Sequence, residues 1–313
     1  MSVTMDHFRH EALLYSGQRG FVAGCVPFIQ GGLGAGEPVL VVESAETIAM
    51  LRTALGSDAD RVMFANMSDV GANPARIIPA WKDFVDRHGS AGRRLRGIGE
   101  PIWNGRSPDE LVECQRHESL LNVAFGGGQA WWLLCPYDVD GLDPSVIDEA
   151  RRSHEYVTVA GESGQPSRDF RGIDASGAPF GSAFPEPGPP GRLLEFDRDG
   201  LLSVRGEVAR QALDAGLGAD RATELVSAVN EVATNSVMHG GGGGIIRIWR
   251  RAGDLICEIR DGGSFTHPLA DRTKPGTPRD PQGLWLANQL CDLVQIRSFQ
   301  DGTAVRLHMR LDP

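Results

Sequence analysis

The stretch VNEVATNSVMHG, residues 229–240, decides how the second half of this chain is read. Taken as a helix, it sets Glu231, Asn235 and His239 four residues apart on one face. Leu225, Val229, Val232 and Ala233 form an apolar stripe of period 3.6 on the other side. A core helix that turns a carboxylate, an amide and an imidazole toward one cleft is arranged to hold a metal ion and phosphates. The alternative is an amphipathic helix with an ordinary solvated face.

Working outward, the chain next reaches Asp261-Gly262-Gly263 at the end of a strand pattern, then a polar segment rich in Gly, Pro and charge, then a short helical pattern opening at Gly283-Leu284. Such a loop between a strand and a helix suits a cover over a ligand better than a core element. The Asp261 carboxylate can accept a hydrogen bond from an exocyclic amine such as that of adenine. Gly263 lets backbone approach a base plane without a Cβ in the way. A helix opening at Gly283 presents unpaired N–H groups and a positive dipole end to phosphate. Each feature alone is also ordinary turn chemistry; their order carries the inference.

The rest of the chain frames that site. Its 313 residues predict two domains, and 41% apolar with 23% charged residues suits globular cores. No apolar run is long enough to cross a bilayer and the first ten residues lack a signal-peptide core, so a cytoplasmic location is expected. A net charge of −10 disfavours nonspecific attraction to nucleic acid or anionic lipid. The five cysteines, Cys25, Cys114, Cys135, Cys257 and Cys291, form no CxxC pair and are expected to be buried and reduced.

Gly, Pro and Ser displace periodic apolar residues over 160–191, which is read as a linker between a domain at 1–159 and another at 192–313. In the first domain, strand candidates at 38–43, 61–67, 95–100 and 129–137 alternate with helical patterns near 45–55, 74–88 and 107–124. That alternation predicts a doubly wound α/β domain with a mostly parallel sheet. In the second, helical patterns at 199–215 and 219–238 precede strands at 245–250 and 255–261. A helix near 283–291 and two further strands follow, predicting an α+β layer of helices on one face of a mostly antiparallel sheet. In the last strand Val305, Leu307, Met309 and Leu311 alternate with Arg306, His308 and Arg310, so one face is expected buried and the other wet.

The motifs NEVATNSVMHG, DGG, GLWLANQLCD and GTAVRLHM, in this order, resemble the ATP-binding domain shared by gyrase-type topoisomerases, sensor histidine kinases and anti-sigma factor serine kinases. The resemblance covers about residues 192–313. It implies a two-layer sandwich binding ATP and Mg²⁺, with Asn235 on the metal, Glu231 orienting or activating the attacking hydroxyl, and Asp261 reading adenine with Thr303 nearby. His239 and the glycine run 240–244 would lie at the phosphate end, with Gly263, Gly283 and Leu284 completing the nucleotide site. One departure is Pro281-Gln282-Gly283, where the family has a GxG pair; proline fixes φ and removes a donor. Arg272, Lys274 and Arg279 could neutralise phosphate, though basic loop residues are commonly just solvated.

A sensor histidine kinase needs a phosphoacceptor-bearing helical hairpin ahead of the ATP domain, where this chain has a Pro/Gly stretch. The resemblance therefore implies an anti-sigma factor that phosphorylates serine or threonine on an anti-sigma antagonist, with a sigma factor as further partner. A nonenzymatic ATP-switched binding module is the main alternative, and a sensor-kinase-like signalling protein a third.

In the first half, MDHFRHEALLYSG, IIPAWKDFVD, RGIGEPIW, ESLLNVAF and LLCPYD resemble the MEDS sensory domain of methanogen and methylotroph regulators, over about residues 6–157. Glu100 and Tyr137 end adjacent strands, where open α/β sheets bind ligands, with Trp103, His10 and Glu11 as candidate neighbours of a small-molecule pocket. A second copy of the chain is a candidate partner. GGLGAGEP (31–38) lacks a phosphate loop's GK[ST] ending and precedes its strand, so it reads as a helix stop. The pairs His10-Glu11, His117-Glu118 and His154-Glu155 show no HExxH spacing and adjacent residues point apart, so no metal site is expected from them.

Overall fold

The computed structural model describes residues 7–89, 93–128, 130–159, 164–175, 177, 180–187, 191–265, 267–277 and 282–311. The chain divides into two compact units, Met1–Ala178 and Pro179–Pro313.

The first unit is a seven-stranded sheet in the order β3-β2-β4-β5-β1-β6-β7. Its strands are β1 (Arg9–Tyr15), β2 (Val39–Glu43), β3 (Met63–Asn66), β4 (Leu95–Gly99), β5 (Trp131–Asp138), β6 (Tyr156–Val159) and β7 (Gln165–Pro166). All neighbours are parallel except β6 and β7. The helices are α1 (Gly17–Gly34), α2 (Ala45–Leu55), the short α3 (Met67–Val70), α4 (Ile77–His88), α5 (Pro108–Phe125) and α6 (Pro144–Ser153). This is the doubly wound α/β domain expected from the alternating pattern. Local chemistry sets its helix starts: Ser107 and Glu110 close a capping box around Pro108 at the head of α5. α1 runs through Gly31 and Gly32 and ends at Gly34, inside GGLGAGEP, with Gly36 at a φ of 71° just beyond it, so the helix stops within that segment. Strand β1, between β5 and β6, shows only a short apolar run in the sequence.

The second unit is a five-stranded antiparallel sheet, ordered β11-β12-β10-β9-β8, with helices α7 (Leu201–Asp214), α8 (Ala219–His239) and α9 (Gly283–Leu290). Its strands are β8 (Arg192–Asp197), β9 (Gly243–Arg251), β10 (Asp254–Asp261), β11 (Leu293–Phe299) and β12 (Gly302–Arg310). The apolar stripe of α8, including Leu225, Val229, Val232 and Ala233, buries against Ile246, Ile248, Cys257, Ile259 and Leu307. Burying a Leu, Ile or Val side chain contributes roughly 1.5–3 kcal/mol, so this seam fixes how α8 lies on the sheet. Of the second face of β12 only Arg310 is wet. Arg306 and His308 are buried. The Arg306 guanidinium donates to Glu258 Oε2 at 2.6 Å and to the Pro185 carbonyl, and lies 4.3 Å from the ring centre of Phe184. Residues from the Pro/Gly stretch thus cover this face, and charge alternation did not expose it because each buried charge found a partner. The same stretch is not a free tether at its other end either, since Arg171 grips Glu149 through two bonds of 2.7 and 2.9 Å.

Candidate functional site

The C-terminal end of α8, the end of β10 and the start of α9 enclose a cavity of about 270 Å³. Asn235, His239, Asp261, Gly263, Gly283, Leu284 and Thr303 all line it, so residues spread over almost seventy positions meet at one place. Val232, Phe265, Ile296 and Val305 supply apolar wall. Glu231 is not among the lining residues, but it stands one turn before Asn235, and a Cβ on Gly283 would meet Glu231 Oε2 at 3.0 Å and Asn235 Nδ2 at 3.1 Å. With no side chain at Gly283, α9 begins against that polar face without displacing either group.

Asp261 sits at the floor, closing β10. Its Oδ2 accepts from Ser236 Oγ at 2.6 Å and its Oδ1 from the Gly263 N–H at 2.8 Å. Thr303, opposite Asp261 in the β10–β12 register, donates to the Gly263 carbonyl at 2.9 Å. Two carboxylate oxygens carry about four acceptor sites, so these two bonds orient the group and leave capacity for a ligand donor. Ser236 had no place in the sequence reading; its signal is a hydroxyl one residue past Asn235 on a helix whose neighbouring positions are core. The need for glycine at 263 also has a local cause: a Cβ there would come within 2.9 Å of the His239 carbonyl and 3.0 Å of Gly240 Cα. Gly240 is as tightly placed, with its would-be Cβ 2.5 Å from Asp261 Cγ.

Of the basic residues proposed to meet phosphate, Arg272 is buried beside Asp271 and Lys274 is exposed. Neither lines the cavity. Arg279 and Pro281 lie outside the described residues.

Comparison with known families gives two matches. Residues 9–155 match the MEDS family, the methanogen/methylotroph DcmR sensory domain, and residues 196–309 match the histidine kinase-like ATPase domain. The chain joins a MEDS domain to a histidine kinase-like ATPase domain. Among solved structures it is similar to the Acinetobacter baumannii histidine kinase AdeS, at 12% identity over 39% of this chain and 68% of that one, with a TM-score of 0.23. It is also similar to a second solved protein, itself an ATPase domain, at 10% identity over 50% of this chain and 69% of that one, with a TM-score of 0.34. No curated protein matches it.

The ATPase-domain cavity fits an adenine nucleotide by its donor set. An oriented carboxylate lies at the floor among apolar walls, and an amide and the N-terminus of α9 stand where negative phosphate oxygens are favoured. In the MEDS domain a second cavity, of about 410 Å³, opens beyond the carboxyl ends of β1 to β5. Glu100 and Trp103 line it, together with Tyr15, Glu43, Met67 and Asp138. Tyr137, His10 and Glu11 do not. Strand alternation turns Tyr137 into the core and offers Asp138 instead, and His10 and Glu11 lie near the start of β1, four to five residues or ~13–16 Å from Tyr15 along the strand.

The Tyr15 hydroxyl donates to Glu100 Oε1 at 2.8 Å. Burial is the main force on both acids of the pocket. It raises the Glu100 carboxyl to about 7 and, with the neighbouring Glu100 charge, pushes Glu43 well above the usual carboxylate range. Among the described residues no helix is long and apolar enough to cross a membrane.

Proposed function

We propose that the ATPase domain binds ATP with Mg²⁺ and transfers its terminal phosphoryl group to a serine or threonine of a separate protein, an antagonist of an anti-sigma factor. The chain would then serve as a signal-responsive anti-sigma factor in the cytoplasm. The observation that carries the reading is the convergence of Asn235, His239, Asp261, Gly263, Gly283, Leu284 and Thr303 on one cavity with Glu231 beside Gly283. In this reading Asp261 accepts from the adenine amine, Asn235 holds Mg²⁺, and the N–H groups opening α9 receive phosphate. Glu231 orients the acceptor hydroxyl and takes its proton as the oxygen bonds to phosphorus and ADP leaves. Catalysis of this kind rests on positioning and electrostatics.

A separate protein is favoured as acceptor because, among the described residues, no helical hairpin bearing a histidine leads into β8. The MEDS cavity, with its apolar wall and paired neutral-leaning acids, suits a small, mostly apolar effector with one polar group, and a second copy of the chain is a candidate partner.

Labelled ATP titrated with and without Mg²⁺ tests the site: saturable binding in the wild type that weakens in Asp261→Asn supports it, and no binding in the wild type overturns it. Glu231→Ala should keep binding and lose transfer by at least ~100-fold, the scale of a lost general base. A second reading, a nonenzymatic ATP-switched binding module, is favoured by the absence of Glu231 from the cavity lining; ATP binding without any transfer to candidate antagonists would select it.

A further inference from the structure

The MEDS domain contains a cluster that neither cavity uses. His10 on β1, Glu118 on α5, Cys135 on β5 and His154 at the end of α6 bring one ligand-type atom each to within 4.8 Å of one another. All four side chains are essentially inaccessible, at 1% exposure or less. His10 Nε2 stands 3.1 Å from Glu118 Oε2 and 3.4 Å from Cys135 Sγ. His154 Nε2 stands 3.2 Å from the same Glu118 oxygen.

The hydrogen bonds behind these atoms decide what the cluster lacks. Asn122 donates through Nδ2 to the Ser153 carbonyl at 2.7 Å, which fixes its amide and leaves Oδ1 facing His10 Nδ1 at 3.1 Å. His154 Nδ1 faces the Ala150 carbonyl at 2.8 Å. Both partners can only accept, and Ser153 Oγ, 3.1 Å from the same His154 Nδ1, gives its own hydrogen to the Glu149 or Ala150 carbonyl, so each ring in its neutral form carries its hydrogen on Nδ1 and turns a bare Nε2 lone pair inward. Two imidazole lone pairs and a carboxylate oxygen therefore point at one spot, and the single thiol hydrogen of Cys135 can serve only one of them. Among the described residues Glu118 Oε1 is buried with no hydrogen-bond partner at all, and His154 Nε2 makes no hydrogen bond of good geometry. More convergent acceptors than donors in a dry site are costly; a cation at their centre meets both Nε2 atoms, the Cys135 sulfur and the Glu118 oxygen they share.

We propose that His10, Glu118, Cys135 and His154 bind one divalent transition-metal ion of the zinc class. Histidines held through Nδ1 by carbonyl oxygens are the outer-shell arrangement that metal-ligating imidazoles use. Bonds of about 2.0–2.3 Å in a tetrahedral site put ligand atoms about 3.3–3.8 Å apart, so the three shortest separations, 3.1, 3.2 and 3.4 Å, need shifts of a few tenths of an ångström, and the widest, within 4.8 Å, has to close by up to about 1 Å. Two imidazoles, a thiolate and a carboxylate suit Zn²⁺ or Co²⁺ over Mg²⁺ or Ca²⁺, and thiolate plus carboxylate cancel a 2+ charge in a place where net charge is penalised. With four protein ligands and no open position, the ion ties β1, α5, β5 and the end of α6 together and takes no part in turnover.

The full chain, purified without metal-affinity resin and dialysed after incubation with zinc, should retain about one zinc per chain. X-ray absorption of the zinc-loaded wild type should read one sulfur and three nitrogen or oxygen neighbours, a measurement that needs no variant. Loading with Co²⁺ should give a thiolate-to-cobalt charge-transfer band that Cys135→Ser removes and Cys114→Ser keeps. No retained ion in the wild type, a ligand shell without sulfur or with several sulfurs, or a band that survives Cys135→Ser would each overturn the proposal.

Discussion

Asp261 is held by Ser236 and by the Gly263 N–H, and that clamp makes its contribution testable atom by atom. Charge-assisted hydrogen bonds contribute about 1.5–3 kcal/mol, so Asp261→Asn, which removes the charge and turns an amide donor toward Ser236 or Gly263, should weaken ATP binding roughly 10- to 100-fold in a calorimetric titration. Ser236→Ala removes only the orienting hydroxyl and should weaken it several-fold with the fold intact. Gly240→Ala is a different kind of change: a Cβ 2.5 Å from Asp261 Cγ forces the helix end and the strand end apart. Overpacking of this sort costs typically ~1–3 kcal/mol, read as a lower denaturant midpoint for the ATPase domain whether or not nucleotide is present.

At the scale of elements, apolar periodicity was sufficient for most helices with one face on the core, although α6, whose Val146 and Ala150 are buried, was not read from it. Helices α2, α4, α7 and α8 follow the apolar periodicity, whereas α5 is buried nearly all round from Arg116 to Asn122; with α8 come Asn235 and His239 at the cavity. What periodicity could not show was burial of charge. Arg306 and His308 occupy the alternate positions of β12 that look solvated, and only the tertiary arrangement reveals Glu258, Gln295 and Phe184 beside them. The His-Glu pairs illustrate the same limit. Adjacent residues do point apart within each pair, yet the fold takes His10, Glu118 and His154, one from each, to a single point, and no spacing rule reaches from the first strand of the sheet to the end of its last helix. The strand ends of the MEDS sheet carry a pH prediction. Glu100 rises from the ordinary range to about 7 on folding, so its folded state is the better proton binder. Stability from this group is fully present below pH ~4.5 and is lost as pH climbs through about 7. Glu100→Gln still accepts from Tyr15, removes the charge, and should leave stability near pH 4.5 unchanged. At pH 8 it should raise stability by roughly 1–3 kcal/mol, since a tenfold change in proton affinity corresponds to about 1.4 kcal/mol. Equal chemical-denaturation midpoints for wild type and variant at both pH values would remove the cause assigned to burial.

At the scale of the whole molecule, composition alone divides the chain near 160–191, whereas the compact second unit begins at Pro179. Gly, Pro and Ser mark a stretch that cannot continue a helix or strand; they do not say whether it packs. Here Phe184 is only 8% exposed, and stacks on Arg306 and Arg297 at 4.3 and 5.0 Å from its ring centre. Pro185 gives Arg306 a carbonyl acceptor, and Glu186 takes Arg247 at 2.6 Å. A fragment cut at the end of the low-complexity text, residues 192–313, would therefore open the Arg306–Glu258 pair to water and delete an aromatic cover. A fragment covering 179–313 keeps both. Losing a buried aromatic costs about 3–5 kcal/mol in a closed core, and the open edge of this face brings the expectation down to about 2–4 kcal/mol. The shorter fragment should thus unfold at a clearly lower denaturant concentration, and Phe184→Ala in the longer one should reproduce most of that loss. If the two fragments unfold together, residues 180–187 lie on the sheet without stabilising it, and the boundary read from composition is the thermodynamic one.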